Sequence, residues 1–376
     1  MAEKIRVGIV GATVTPGGSG WGANAHVPAL KALADRYELK AVCTAHEETA
    51  RASAEAFGAE LAFHDFDAMA ASPEIDLISV VVRVPGHKAL VDKALRAGKA
   101  VFCEWPLGRD LAEAEAMAEL ARSRGLRTAV GLQARSDPTL TYARELVRDG
   151  YVGELLSVRL SSVGQTIAER GIGRIWQGDR RNGANTLTIA AGHAIDALCF
   201  VVGEIEELSA RLATQITEWR NTETGETMKV DSPDWISVAG RLEGGAAVSF
   251  LTATVPFNPS GNRFEVYGRE GTLVITGGTL NSGPSQLAGA RGREALTPLE
   301  PPERLVPAPG APAGAPRNVA QAYARIAAAW SAGEPYHPDF EHAVRRHTLI
   351  EAIERSSAER RAVRVADVRP AAVRAS

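Results

Sequence analysis

Between Ile5 and Arg135 short apolar runs alternate with amphipathic stretches, and no other feature restricts the fold of this chain so tightly. Ile5 to Val10 reads as a strand, followed by a Gly-rich turn and an amphipathic helix ending near Arg36. LKAVCTA, IDLISVVVRVP, AVFCEWP and RTAVGLQAR read as four further strands, with helices at ETARASAEAFG, HKALVDKALRAGK and LAEAEAMAELARSRG between them. The third strand is apolar throughout, as expected of a parallel strand covered on both faces. Strands and helices in strict alternation predict a doubly wound parallel sheet, an α/β Rossmann domain over residues 1–135.

Beyond Arg135 the rhythm changes. A helix through TYARELVRDG leads to a strand at LLSVRLSSV, and from Ile205 strands dominate. WISVAGRL and AAVSFLTATV flank the turn EGG, and RFEVYG and TLVITGG flank REG; both read as hairpins. Residues 136–376 are therefore expected to form an α+β domain with a largely antiparallel open sheet. Seven prolines between Thr297 and Arg317 predict a long surface loop. Helices at 318–330 and 340–357 follow, and these C-terminal helices are candidates to pack back on the first domain.

The first turn begins at Gly11, where a missing Cβ lets the chain bend toward a pyrophosphate held by helix-terminal N–H groups. The GxGxxG spacing is absent; Gly17, Gly18, Gly20 and Gly22 lie in an extended version carrying Val14, Thr15 and Pro16. Gly11, Thr13, Gly20 and Trp21 are the candidate phosphate-side contacts. The acid that would close the second strand and hold the ribose diol is also absent: the run is Cys43, Thr44, Ala45, His46. Without that carboxylate a 2′-phosphate is not repelled, so the cofactor is NAD or NADP, with Thr44, His46 and Arg51 as conceivable contacts.

The net charge of −3 offers no electrostatic attraction to nucleic acid or an anionic membrane. No run approaches a membrane span, and the apolar start is too short for a signal peptide, so a cytoplasmic protein is expected. Cys43, Cys103 and Cys199 lie far apart in apolar stretches and read as buried thiols. No metal-ligand spacing is present.

Across nearly the whole chain the sequence resembles the Gfo/Idh/MocA family. The likeness rests on VGIVGA, on VVVRVPGHKALVDKALRAGKAVFCEWPL, on VGLQARSDP, on DGYVGELLSV and on GHAIDAL. The resemblance implies hydride transfer between a nicotinamide and a sugar or cyclic polyol, and it implies that Arg83, His87, Glu104 and Gln133 contact the nicotinamide half of the cofactor. It also marks two departures. The family's Glu-Lys-Pro reads Glu104-Trp105-Pro106, removing a titratable group, because an indole N–H is no acid or base near neutral pH. An Asp expected four residues before His193 is replaced by Ile189.

The stretch from Asn182 to Asp196 most resembles a subgroup that includes the fungal galactose-regulon repressor, which implies Asn185, Thr188 and His193 on the substrate side. His193 is read as acid/base or as donor to a sugar hydroxyl, against a packed histidine bonded to Asp196. Trp105, at a strand's carboxyl end before a cis-prone Pro106, would offer an apolar face to a sugar or the nicotinamide, against a core role. Trp176 either walls a carbohydrate or anchors its loop. The function expected is an NAD(P)-dependent sugar or polyol oxidoreductase. The alternatives are a redox-neutral NAD-dependent glycosidase and a non-catalytic dinucleotide-binding regulator. The alternating hairpins suggest a homodimer or homotetramer through the C-terminal sheet.

Overall fold

The structure, a computed structural model, describes residues 4–15, 20–165 and 168–368. It divides into two compact units: residues 1–136 with 306–344, and residues 137–305 with 345–376.

Unit 1 contains a parallel sheet of β1 (Ile5–Val10), β2 (Tyr37–Cys43), β3 (Leu61–Phe63), β4 (Leu77–Val80), β5 (Ala100–Glu104) and β6 (Thr128–Gly131). The strand order is β3-β2-β1-β4-β5-β6, so the direction of winding reverses between β1 and β4, where open α/β sheets bind their ligands. The sequence reading had five strands; β3 is only three residues, too short to show a period. The helix after the first turn also differs from expectation. Gly22–His26 form a π-helical turn, and only then does α1 (Val27–Ala32) begin, with Pro28 in its first turn. The remaining helices are α2 (Glu47–Phe57), α3 (Phe66–Ala71), α4 (His87–Arg96) and α5 (Leu111–Ser123).

The sheet is finished by a late segment. α8 (Ala315–Ser331) buries Val319, Ala320, Tyr323 and Ile326 in one core with Val7, Leu30, Tyr37, Leu77 and Phe102. Tyr323 meets Tyr37 and Phe102 edge-on, with ring centroids 5.2 and 5.1 Å apart. Each such pair contributes roughly 0.5–1.5 kcal/mol beyond its buried area. The Pro-rich stretch before α8 is not a wholly solvated loop as expected. Leu305 and Ala308 are buried, and Gln321 clamps Ala308 through both backbone groups at 2.9 Å.

Unit 2 is built on a nine-stranded sheet whose strands are β7 (Leu155–Gln165), β9 (Ile205–Ala213), β12 (Trp235–Leu242), β13 (Ala247–Val255), β14 (Gly261–Gly268), β15 (Gly271–Gly277), β16 (Ser285–Arg291), β17 (Thr297–Pro298) and β18 (Val363–Arg364). Only β7 and β13 pair in parallel; the remaining pairs are antiparallel. A three-stranded sheet of β8 (Glu169–Arg170), β10 (Glu218–Asn221) and β11 (Thr227–Lys229) lies beside it in sequence. α6 (Pro138–Arg148) and α7 (Gly192–Val202) pack on each other, and α9 (Phe340–Glu359) ties its C-terminal half to β9 where Ser356 Oγ accepts from Ala210 N at 2.9 Å.

Register explains the faces of this sheet. Ala210, Val238, Phe250, Leu160, Phe264, Ile275 and Leu287 form one continuous apolar row across the strands. On the opposite face Ala239, Ser249 and Arg159 align and are exposed. The three cysteines are buried thiols, and burial pushes the Cys43 thiol up to about 11.

Candidate functional site

In unit 1 the site grows from the turn after β1. Gly11 has φ of +94°, and a Cβ there would lie 2.2 Å from the Val81 carbonyl, so only glycine permits this turn. The loop is tethered where Val14 N–H donates to Ser53 Oγ at 3.1 Å. Gly20 is exposed and Thr13 half-buried, and the half-buried Trp21 carries an Nε1–H that is buried without a partner. Pro16, Gly17 and Gly18 lie outside the described residues.

At the carboxyl ends of β5 and β6 a buried network surrounds Glu104. Gln133 Nε2 donates to both carboxylate oxygens at 2.8 Å, and His26 Nε2 lies 2.9 Å from Oε1. His26 Nδ1 is 2.9 Å from the Tyr323 hydroxyl, which is 2.8 Å from Ser79 Oγ. With His26 neutral, the bonds run one way, Ser79 to Tyr323 to His26 to Glu104, each group donating to the next. Burial pushes the Tyr323 phenol well above its ordinary range, so it remains a donor. Gly131 makes the arrangement possible, since a Cβ there would sit 2.5 Å from Glu104 Oε1. Gln133 Oε1 is buried without a partner, an acceptor suited to a carboxamide N–H. With the free Trp21 donor and the Gly11 turn, these residues fit a nicotinamide dinucleotide.

Other expected contacts have different tasks. His87 is fully buried, with Nδ1 2.9 Å from the Pro106 carbonyl and Nε2 3.0 Å from that of Val82. Burial pushes its pKa down, and the neutral ring, donating from one nitrogen, packs between the Val82 and Pro106 carbonyls. Thr44 is buried, its Oγ1 2.7 Å from Thr49 Oγ1 and 3.0 Å from the His46 carbonyl. Arg51 is paired with Glu47, and Arg83 and His46 are exposed. Trp105 follows β5, is 5% exposed and precedes a cis peptide to Pro106.

In unit 2, Asn185 and Thr188 form a capping box for the helical turn Thr186–Ala191. Asn185 Oδ1 accepts from Leu187 and Thr188 N–H at 2.9 and 3.2 Å, and Thr188 Oγ1 accepts from Asn185 N–H at 2.9 Å. Their side chains are thus engaged by the cap. Trp176 donates from Nε1 to the Gly173 carbonyl at 2.8 Å, which anchors its own loop. Asp196 is buried beside Arg346, 3.6 Å away. His193, 7% exposed at the start of α7, lines a cavity of about 180 Å³. Among the described residues no cluster of His, Cys, Asp and Glu could hold a metal, and no helix is long and apolar enough to cross a membrane.

Comparison with known proteins adds the lineage. Residues 5–132 match the oxidoreductase family with an NAD-binding Rossmann fold, and residues 138–277 match the Gal80p C-terminal domain. The chain is 31% identical over 292 residues to the dehydrogenase aclE of Aspergillus oryzae, covering 74% of this chain and 79% of that one. The chain belongs to the Gfo/Idh/MocA oxidoreductase family. Its fold is shared with a super-repressor mutant of Gal80p from Saccharomyces cerevisiae, TM-score 0.85 at 23% identity, covering 97% of this chain and all 100% of the other. It is shared equally with levoglucosan dehydrogenase in complex with NADH and levoglucosan, TM-score 0.83 at 22% identity over 96% and 99% of the two chains. The N-terminal domain of this Gfo/Idh/MocA member is thus an NAD-binding Rossmann domain by family, and solved proteins of the same fold include levoglucosan dehydrogenase in complex with NADH.

Sequence reasoning about this family member missed His26 and Tyr323. His26 sits in the motif WGANAHVPAL with no feature of its own, and its partner Tyr323 is 297 residues away. It also missed Thr252, Thr254 and Asn262, which line the His193 cavity. Here a signal existed: in AAVSFLTATV the inward positions run Val248, Phe250, Thr252, Thr254, and the last two are polar where the pattern calls for apolar.

Proposed function

We propose that this protein is an NAD-dependent oxidoreductase acting on a sugar or cyclic polyol. The observation that supports it best is the His193 cavity, a mostly uncharged recess with one imidazole, on a chain whose other unit keeps an NAD-binding fold. Bound NAD would supply hydride acceptance at its nicotinamide ring. Glu104 and Gln133 hold a rigid polar floor at the ends of β5 and β6, and Gln133 Oε1 is the acceptor for the carboxamide. His193 takes the carbinol proton as the alcohol is oxidised, the task left open by Trp105. Trp105 contributes an apolar surface and excludes water.

The likeness to Gal80p and the absence of a lysine at position 105 favour a second reading, a dinucleotide-binding regulator without turnover. NADH fluorescence titration followed by turnover assays across neutral pyranoses and inositols separates the two. Substrate-dependent reduction of NAD is expected; tight NADH binding with no turnover on any sugar would leave the regulator.

The exposed sheet face carrying Ala239, Ser249 and Arg159 supports a contact with a second copy of the chain. Light scattering on Ser249→Glu is expected to give a smaller particle than the unaltered protein, and an unchanged mass places the contact elsewhere.

A further inference from the structure

The apolar row Val238–Phe250–Leu160–Phe264 is followed, one step along the same face, by Ile236, Thr252, Ser162 and Asn262 in register. The face that forms the core of unit 2 therefore becomes polar at this end, and there the cavity opens. Thr252 is 1% and Asn262 5% exposed, yet Thr252 Oγ1, Thr254 Oγ1 and Asn262 Oδ1 have no hydrogen-bond partner. Asn262 Nδ2 donates to the Gly278 carbonyl at 2.7 Å, which fixes the amide and leaves its oxygen as an acceptor on the cavity side. Buried polar atoms without partners destabilise a fold, and three on one sheet face, two in this row and Thr254 in the next, call for a ligand that satisfies them. The lining also contains no Lys, Arg, Asp or Glu. A carboxylate or phosphate entering it would lose water and gain no opposite charge.

Resting on the oxidoreductase reading above, we propose that Thr252, Thr254 and Asn262 form the recognition face for an uncharged polyhydroxy ligand of single-ring size, and that this face discriminates against sugar acids and sugar phosphates. A ligand hydroxyl donates to Asn262 Oδ1, while the two threonine hydroxyls donate to or accept from its neighbours. Thr252 and Thr254 are then kept at a cost to stability that valine would relieve.

The experiment is calorimetric titration of the NADH-loaded protein with D-glucose, D-galactose and myo-inositol, and with D-gluconate, D-glucuronate and glucose 6-phosphate. At least one neutral compound is expected to bind ten times or more tighter than every charged one. Thr252→Val should raise Tm by about 1–3 °C and weaken the neutral ligand at least tenfold, with Thr252→Ser restoring the binding. Thr254→Val provides the same test should Thr252→Val fold poorly. A charged sugar binding as tightly as the best neutral one, or valine variants that bind like the unaltered protein, would overturn the proposal and leave the oxidoreductase reading standing. Failure to bind NADH at the loading step strikes that reading instead.

Discussion

Around Glu104 in unit 1, five side chains from three strand ends, the turn before α1 and α8 close on one another, and the unpaired acceptor is Gln133 Oε1. Around His193 in unit 2, three oxygens on one sheet face have no partner. The first arrangement leaves one acceptor open to a cofactor; the second leaves three oxygens open to a ligand. A floor for a cofactor shared by many relatives can be rigid with most of its bonds made internally, whereas a pocket that distinguishes substrates must hold more of its hydrogen-bonding capacity in reserve.

The contrast predicts that changes in unit 2 alter function at little cost to stability, and that changes in unit 1 do the reverse. His193→Ala is expected to lower kcat roughly 100- to 1000-fold with the NADH dissociation constant and Tm nearly unchanged; stopped-flow and fluorescence titration check both. A variant that keeps its rate removes His193 from proton transfer. His26→Ala leaves Glu104, Tyr323 and a cavity uncompensated and is expected to cost about 3 kcal/mol in urea unfolding. Tyr323→Phe removes one hydroxyl, keeps the ring and should cost about 1 kcal/mol. If either variant lost turnover without losing stability, the contrast between the units would break. The smallest effect is expected at the ribose edge, where Glu47 holds Arg51 away from any 2′-phosphate. Glu47→Gln should improve NADPH binding roughly two- to fivefold while leaving NADH unchanged, the range of a single exposed pair.

How much of this was legible in the sequence follows from how local each feature is. The β/α alternation, the Gly11 turn and the hairpins repeat within a few residues, so periodicity reveals them. β3 is too short for any period. Asn185 and Thr188 also carry a helix-start signature, an Asn followed three residues later by a polar side chain before an apolar run, and they form that cap. The polar turn of the β13 pattern at Thr252 was readable and was not read. The His26–Tyr323 bond was not readable, since nothing in either neighbourhood points across 297 residues.

The placement of Tyr323 on α8 has a consequence for biosynthesis. Unit 2's first segment, residues 137–305, is translated before the helix that completes unit 1. A nascent chain released only as far as Ser136 would leave Leu30, Tyr37 and Phe102 without the helix that covers them, and this surface must be shielded until α8 emerges. The N-terminal third, which looks self-contained on paper, is therefore expected to aggregate when expressed alone and to become soluble when a peptide spanning 306–344 is supplied in trans.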